Sequence, residues 1–256
     1  MKIARFDYQD QLAYGILDEE KNELIRLVGD PLYAGFETLD ERIKLEDARL
    51  LAPVIPRSKV VAFGRNYLEH AREMGNEVPE EPMMFLKPNT SIVGPGHPIR
   101  LPKQSSHVEH EVELAVVIGS VARNVPAKDA DQVIFGYTVA NDVSARDLQK
   151  KDGQWGRAKG FDSFCPLGPY IETEFDPSSG GIGAKVNGEV RQVGDLNQLE
   201  RTVEQLVEFA SSVFTLLPGD VLLTGTPAGV GPIVDGDEVT CAIEGIGNLT
   251  NPVIAE

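Results

Sequence analysis

The sequence predicts an α+β fold that is mostly β, with a small β-rich N-terminal domain ahead of a larger one. Three observations favour this class. Short apolar, β-branched stretches bounded by glycine, proline or asparagine recur along the chain, as is typical of strands. The dipeptide Asn187-Gly188 separates two such stretches and is the strongest hairpin signal in the chain. One long amphipathic helical pattern is present, over residues 198–216.

Composition limits the class of protein. The 256 residues are enough for one large domain with a small appendage, and 41% hydrophobic with 25% charged residues is typical of a soluble globular chain. The net charge of −16 argues against nucleic acid and anionic membranes as partners. No apolar run is long enough to span a bilayer, no signal core follows Met1, and Cys165 and Cys241 form no Cys-x-x-Cys pair, so a cytoplasmic location is expected.

Residues 1–57 are predicted to form the small N-terminal domain and its linker, and residues 58–256 the larger domain. Short strands are expected where three apolar stretches begin, at Ile3, Leu12 and Glu23. Pro53 and Pro56 break the pattern and mark the linker. A buried strand is then expected over residues 60–64, which are apolar and end at a glycine.

A short helix is predicted next, over residues 66–74, with Asn66 as its N-cap. Two turns are too few for a stable isolated helix, and an acidic, proline-containing loop follows. Residues 66–82 are therefore a candidate lid. His70 and Glu73 share a face of this helix, although spacing alone favours an ordinary surface pair.

The stretch over residues 107–119 is predicted to be one strand, covered on both faces because both become apolar towards its end. Alternation places Glu111 and Glu113 on the same face, roughly 7 Å apart along the strand. A strand end that reaches solvent is the plainer interpretation of this pair. A divalent-cation site is the alternative, and it requires a third ligand from elsewhere in the chain.

The remaining elements supply further polar groups. A strand over residues 135–142 ends at Asp142, and Lys159 follows in a segment rich in aromatic residues. The apolar stretch over residues 220–231 runs into a glycine-rich turn, but it lacks the Lys-Ser/Thr ending of a phosphate loop, so nucleotide binding is rejected. Final strands are predicted over residues 237–244 and 247–254.

Taken together, these stretches resemble the fumarylacetoacetate hydrolase superfamily. The matching segments occur in family order: GRNYLEHAREM (64–74), FLKP (85–88), HEVEL (110–114), NDVSARDLQ (141–149), AKGFD (158–162) and LTGTPAGVG (223–231). The His-x-x-Glu of the candidate lid resembles the branch of acylpyruvate hydrolases and oxaloacetate decarboxylases. This resemblance implies a mixed β-sandwich roll and a homodimer. The first 50 residues match the family weakly.

The resemblance implies that Glu111, Glu113 and Asp142 bind a divalent cation. Three hard carboxylate ligands with open positions suit Mg²⁺ or Mn²⁺. Zinc is an alternative raised by Glu109 and by two nearby histidines, His107 and His110. His110 falls on the strand face opposite the glutamates, so these side chains cannot all converge on one ion. We therefore expect the histidines to be supporting or surface groups.

The resemblance also implies a catalytic set in which Glu73 orients His70 and Lys159 stabilises an enolate. The side chains implied to contact the carboxylate and keto groups of the substrate are Arg65, Lys87, Gln149 and Thr226. Arg146 could join them or pair with Asp147, and the sequence favours neither interpretation.

The expected reaction is divalent-metal-dependent cleavage of the C3–C4 bond of a 2-oxo acid through a metal-stabilised pyruvate enolate, foremost decarboxylation of oxaloacetate. Hydrolysis of acylpyruvates or fumarylpyruvate would use the same residues. An isomerase or decarboxylase of an aromatic ring-cleavage product is a further alternative, which the His-Glu pair disfavours. A non-catalytic metal-binding protein is disfavoured because every motif position carries a chemically competent residue. The expected partner is a small dicarboxylate or 2-oxo acid.

Overall fold

Twenty strands and five helices, described over all 256 residues by a computed structural model, confirm the mostly β class. They form a sheet of twelve strands, one of three and one of five. The first fifty residues supply β1 Lys2–Tyr8, β2 Gln11–Asp18, β3 Glu23–Leu27, α1 Pro31–Ala34, β4 Thr38–Lys44 and β5 Arg49–Leu50. The predicted N-terminal strands are thus present.

The middle of the chain supplies β6 Val60–Gly64, α2 Leu68–Glu73, β7 Met83–Lys87, β8 Ile92–Val93, β9 Ile99–Leu101, β10 Val108–His110, β11 Val112–Ile118, β12 Ile134–Asn141 and β13 Ser144–Ala145. The last part supplies α3 Arg146–Asp152, α4 Gly156–Lys159, β14 Cys165–Glu172, β15 Gly181–Val186, β16 Glu189–Asp195, α5 Val203–Val213, β17 Val221–Leu223, β18 Gly231–Pro232, β19 Glu238–Ile243 and β20 Gly247–Ala255. Short 3₁₀ turns cover Leu45–Asp47, Asn89–Ser91, Ala127–Val133 and Leu196–Gln198.

The largest sheet joins the N-terminal strands to the rest of the chain. Its main path runs β4-β3-β2-β1-β14-β12-β11-β17-β6-β7. Strand β1 pairs antiparallel with β14, with Ile3 opposite Ile171, while a small separate core forms around Phe6 and Leu24. The N-terminal strands therefore have their own core and extend the sheet of the larger part, and the domain boundary at residue 57 stays a prediction.

Strand β11 lies inside the largest sheet, between β12 and β17, and all seven of its residues are buried. Val112, Leu114, Val116 and Ile118 pack into the largest core cluster, whereas Ala115 and Val117 pack into the second. Alternate side chains thus enter two different cores, and the prediction that this strand is covered on both faces is confirmed.

The single strand predicted over residues 107–119 is wrong, because the chain changes sheet at Glu111. The Glu111 amide donates to Asn141 Oδ1 (2.9 Å), and its carbonyl accepts from the Asp142 amide (2.8 Å). Before this point β10 pairs with β13 and β18 in the three-stranded sheet, and after it β11 pairs with β12 and β17. The change of direction at Glu111 therefore depends on the end of β12.

The predicted hairpin joins β15 and β16. Asn187 (φ 53°) and Gly188 (φ 81°) both lie in the left-handed region, as a type I′ turn requires, and Val186 pairs with Glu189 across it. The five-stranded sheet runs β16-β15-β19-β20-β9. The turn prediction is confirmed because it depends on two adjacent residues alone.

Two helices begin later than predicted. Helix α5 begins after Thr202, whose side chain forms a capping box with Gln205, and the chain before it forms a 3₁₀ turn. Helix α2 begins after Tyr67, because the Asn66 side chain is held elsewhere. Asn66 Nδ2 donates to the carbonyls of Arg201 (3.0 Å) and Thr224 (2.8 Å) instead of capping the helix. No helix has both the length and the apolar character needed to cross a bilayer.

Asp220 is a fully buried carboxylate at the beginning of β17. It accepts hydrogen bonds from Lys59 Nζ (2.7 Å), Ser58 Oγ (2.8 Å) and the Leu217 amide (2.9 Å). These bonds hold β17 beside the start of β6, its parallel neighbour.

We expect Asp220→Ala to lower the free energy of unfolding by about 3 kcal/mol, because the Lys59 ammonium loses its partner in a partly buried position. Urea denaturation measures the change. Asp40→Ala is the matched control, since Asp40 is an exposed carboxylate without a hydrogen bond, and it should change stability by less than about 0.5 kcal/mol. Equal losses in the two variants would contradict this account.

Candidate active site and metal centre

Three carboxylates converge at the ends of β11 and β12. Glu111 lies at the junction of β10 and β11, Glu113 lies in β11, and Asp142 directly follows β12. One oxygen from each of the three lies within 4.8 Å of the others, and all three residues are buried, with 1–3% of their surface exposed. The antiparallel register, with Val112 opposite Asn141, brings these sequence-distant groups together. The solvent-facing strand end considered for Glu111 and Glu113 is therefore wrong.

Two buried lysines and the partly buried Arg146 surround the carboxylates. Lys159 Nζ donates to Glu111 (2.7 Å) and to Asp142 (2.6 Å), Lys87 bonds to Asp142, and Arg146 bonds to Glu111. Three cations therefore face the three carboxylates, and Arg146 is shared with the buried Glu109. A divalent cation would add two positive charges, which makes the site more favourable for an anionic ligand despite the acidic surface.

The glutamates differ in their partners. Burial alone would raise the pKa of Glu111, but the charges of Arg146 and Lys159 hold it well below its usual range. Burial and the nearby charges of Asp142 and Glu111 raise the pKa of Glu113 well above its usual range. The hydrogen bond to Glu113 comes from the Gly225 amide (2.7 Å) rather than from a cation. This donor set of hard oxygens, with one carboxylate short of positive charge, fits a divalent cation such as Mg²⁺ or Mn²⁺.

A cavity of about 470 Å³ opens onto the three carboxylates. Most of the residues predicted to bind substrate or to act in catalysis line it: Arg65, His70, Gln149, Lys159 and Thr226. Lys87 does not line the cavity, since its fully buried ammonium lies against Asp142. The structure therefore brings the predicted set together around one cavity, with Lys87 behind it, and the individual roles stay predictions.

Helix α2 covers one side of the cavity. His70 is 7% exposed, and its Nδ1 lies 3.2 Å from Glu73 Oε2, so the surface pair that spacing alone favours is not what the structure holds. Glu73 also accepts from the Gly229 amide (3.0 Å), and Arg201 donates to the carbonyl of Glu80 (2.9 Å). The candidate lid is thus packed against the glycine-rich turn at residues 225–231, and its opening and closing stay a prediction.

The sequence left open whether Arg146 joins the site or pairs with Asp147. Its Nε donates to Glu109 (2.6 Å) and its Nη1 to Gln149 (3.0 Å), in addition to the bond with Glu111. Asp147 accepts instead from Ser105 (2.6 Å). Arg146 therefore lies in the site and does not pair with Asp147, and a contact with substrate stays a prediction.

Trp155 is a cavity residue that no motif in the sequence predicts. Its ring meets Phe85 edge-on, with 5.1 Å between centroids, and a Cβ added at Gly64 would lie 2.5 Å from the indole. Lys159 Nζ lies 5.2 Å from the centre of the Phe85 ring. Trp155 thus forms part of the cavity wall, and Phe85 packs against it and lies beside the Lys159 ammonium.

The nearby histidines lie outside the carboxylate cluster. His107 is partly exposed and its Nε2 lies 2.9 Å from Glu109. His110 is fully buried, with Nδ1 3.0 Å from Gln192 Oε1, and burial lowers its pKa. The group of side chains able to hold one ion consists of carboxylates alone, so the geometry does not support a zinc site with these histidines.

Comparison with protein families identifies the larger part of the chain. Residues 59–254 match the family described as Fumarylacetoacetate (FAA) hydrolase C-terminal. The chain belongs to the fumarylacetoacetate hydrolase family. Residues 1–53 match a second family, described as Rv2993c-like, N-terminal. The resemblance inferred from the short motifs is thus confirmed, and the weak match of the first 50 residues is explained by a separate N-terminal family.

Individual members of the fumarylacetoacetate hydrolase family resemble the chain closely. Protein Rv2993c of Mycobacterium tuberculosis is 48% identical over 266 residues, covering 99% of this chain and 98% of that protein. Human oxaloacetate tautomerase FAHD2A, mitochondrial, is 47% identical over 220 residues, 81% of this chain and 70% of that protein. The crystal structure of 5-carboxymethyl-2-hydroxymuconate delta-isomerase from Mycobacterium smegmatis has 48% identity, a TM-score of 0.93 and full coverage of both chains. The mixed β-sandwich roll is therefore confirmed as the fold.

We expect Glu111→Ala, Glu113→Ala and Asp142→Ala each to weaken Mg²⁺ binding by more than the ~100-fold that an outer-shell partner contributes. Each change removes a hard oxygen ligand from a buried site that has no replacement. Isothermal titration calorimetry measures the affinity. His70→Ala should leave it intact, because His70 lies outside the carboxylate cluster. Unchanged Mg²⁺ affinity in the three carboxylate variants would refute the assignment.

Proposed function

We propose that the chain acts on oxaloacetate through its enolate, and that its main reaction interconverts the enol and keto forms of this acid. The main support for the proposal is the position of the His70–Glu73 pair, which lies beside a cavity lined by Lys159 and the three carboxylates. The identity of 47% with a relative named oxaloacetate tautomerase supports the choice of substrate. This reaction belongs to the same enolate chemistry as the cleavage that the sequence predicts.

The cavity suits the 2-oxo acid end of the substrate. A divalent cation held by Glu111, Glu113 and Asp142 would supply Lewis-acid polarisation of the 2-oxo group, which makes the C3 protons acidic. Lys159 places a buried positive charge beside this position, where the enolate oxygen becomes negative. The protein thereby stabilises the charge that develops after a proton leaves C3.

His70 is the residue placed to move that proton. Glu73 accepts from Nδ1–H of His70, which fixes the tautomer and leaves the lone pair on Nε2. In the ketonisation direction, Nε2 of His70 takes the hydroxyl proton of the enol, and the resulting imidazolium delivers a proton to C3; enolisation is the reverse. Glu73 is itself held by the Gly229 amide, so the ring is oriented by the glycine-rich turn.

Two cations favour a reaction that keeps the C4 carboxylate. Arg65 and Lys150 line the cavity, and neither side chain has a hydrogen-bond partner within the protein. A cation beside the C4 carboxylate stabilises its charge and opposes loss of CO₂. Arg65 adopts a left-handed backbone conformation (φ 59°), which is uncommon for a residue with a side chain and typical of functional sites.

Decarboxylation of oxaloacetate, the reaction that the sequence favours, is the second candidate. Phe63, Met74 and Trp155 give the cavity an apolar wall. A carboxylate turned towards this wall would be desolvated, which favours loss of CO₂ and leaves an enolate for Lys159 to stabilise. The orientation of the C4 carboxylate thus separates the two reactions.

The test is to incubate Mg²⁺-loaded protein with oxaloacetate and to follow the enol absorbance and the release of pyruvate in parallel. Faster loss of the enol without pyruvate supports the tautomerase, and stoichiometric pyruvate supports the decarboxylase. Acetylpyruvate and fumarylpyruvate are run beside it, and turnover of these alone would identify a hydrolase. Acceleration of none of these reactions would refute the proposal.

We expect Lys159→Met to lower kcat by about 100-fold or more while changing KM less, because the ammonium acts mainly on the developing enolate. Its removal should not weaken Mg²⁺ binding, since it takes a like charge away from the site. Lys151→Met is the matched control, because this exposed lysine does not line the cavity. A change in KM alone would make Lys159 a carboxylate anchor.

We also propose that the protein is a cytoplasmic homodimer. The family resemblance supports the dimer, and the two cysteines, both buried and unpaired, are compatible with a reducing compartment. Analytical ultracentrifugation of the purified chain tests the oligomeric state.

A further inference from the structure

Gln192 is a buried amide that connects the five-stranded sheet to the active site. It lies in β16, is 1% exposed and does not line the cavity. Its side chain nevertheless accepts from the Val112 amide, which lies between the cavity-lining Glu111 and Glu113, and donates to Thr226, which lines the cavity itself. None of the predicted catalytic or binding roles includes this residue.

Two backbone groups fix the orientation of this amide. The Val112 amide donates to Gln192 Oε1 (3.0 Å), and Gln192 Nε2 donates to the carbonyl of Pro227 (2.7 Å). A flipped side chain would place donor against donor at Val112 and acceptor against acceptor at Pro227. The oxygen therefore faces β11 and the nitrogen faces the turn.

The second N–H of this nitrogen determines how the Thr226 hydroxyl is used. Gln192 Nε2 lies 2.7 Å from Thr226 Oγ1, so the hydroxyl oxygen accepts this bond. Its own proton must then point away from Gln192, and it has no acceptor within the protein, while Thr226 lines the cavity. On the other side, His110 Nδ1 lies 3.0 Å from Gln192 Oε1 and can only donate to it, which polarises the amide further.

We propose that Gln192 is a positioning residue, which acts through Thr226 by keeping the threonine hydroxyl a donor directed at an anionic oxygen in the cavity. The bond from Gln192 occupies one lone pair of the hydroxyl oxygen and directs the hydroxyl proton away from Gln192, towards the cavity. The site thereby offers a hydrogen-bond donor to an oxyanion at this position. The identity of the oxyanion, a carboxylate or enolate oxygen of a 2-oxo acid, rests on the proposed function.

The experiment measures the affinity of oxalate, which mimics a pyruvate enolate, for Mg²⁺-loaded protein by calorimetry. Thr226→Val and Gln192→Met should each weaken oxalate binding by roughly 10- to 100-fold, as expected for loss of a hydrogen bond to a charged group. The double variant should bind about as weakly as Thr226→Val alone, because Gln192 acts through the hydroxyl. Losses that multiply in the double variant would overturn the proposal, as would unchanged affinity in Thr226→Val.

Thr224→Val is the matched control. Thr224 is a buried threonine of the same segment, but its hydroxyl donates to the Leu114 carbonyl (3.1 Å) and does not face the cavity. Its loss should lower stability and leave oxalate affinity unchanged. If Gln192→Met does not fold, Thr226→Ser replaces it as the test. The serine hydroxyl keeps the bond from Gln192, so this variant should retain its affinity for oxalate. An oxalate affinity as low as that of Thr226→Val would overturn the proposal.

The outcomes also separate this inference from the proposed reaction. Oxalate binding that depends on Thr226 and Gln192 as described, without turnover of oxaloacetate, would support the positioning role and refute the reaction. Turnover of oxaloacetate, together with an oxalate affinity that neither Thr226→Val nor Gln192→Met changes, would support the reaction and refute the positioning role. Wild-type protein that binds no oxalate would count against the positioning role, because the hydroxyl would have no oxyanion to which it donates.

Discussion

Packing of six charged side chains into one cluster, five of them buried and Arg146 partly so, is the constraint on which the rest of this structure depends. Removing a carboxylate or an ammonium group from water costs several kcal/mol, and this cost is offset only when each charge has close partners of the opposite sign. Lys159 meets this requirement for Glu111 and Asp142 together. Two core clusters cover the faces of β11, so the charges lie in a largely buried setting and interact strongly, and they are held at the ends of strands and on the short helices α3 and α4.

The same constraint explains how an acidic protein can hold an acidic ligand. The surface field of a chain with net charge −16 repels a dianion. The buried carboxylates have cations as close partners, and the cavity wall adds Arg65 and Lys150, neither of which forms an ion pair within the protein. Attraction is therefore confined to the cavity, within a distance comparable to the screening length in physiological salt.

Local features were predictable from the sequence, and features set by distant side chains were not. The type I′ turn at Asn187-Gly188 and the alternation along β11 depend on adjacent residues. The break at Glu111 depends on Asn141, thirty positions away, and α2 begins late because Asn66 bonds to Arg201. The carboxylates of the candidate site were identified by resemblance to a family. Gln192 carries no local signal at all, since its importance comes from bonds across two sheets.

The glycine-rich turn at residues 225–231 contacts the groups expected to bind the ion, the substrate and the lid. Its Gly225 amide bonds to Glu113, its Thr226 faces the cavity, and its Gly229 amide bonds to Glu73 on α2. The Glu113 carboxylate, the cavity and α2 thus all contact a single short segment of backbone. If α2 closes over a bound ion as the sequence predicts, any free energy by which the ion orders this segment would also favour closure, and closure would strengthen ion binding by the same amount. The turn would then link ion binding, substrate binding and closure.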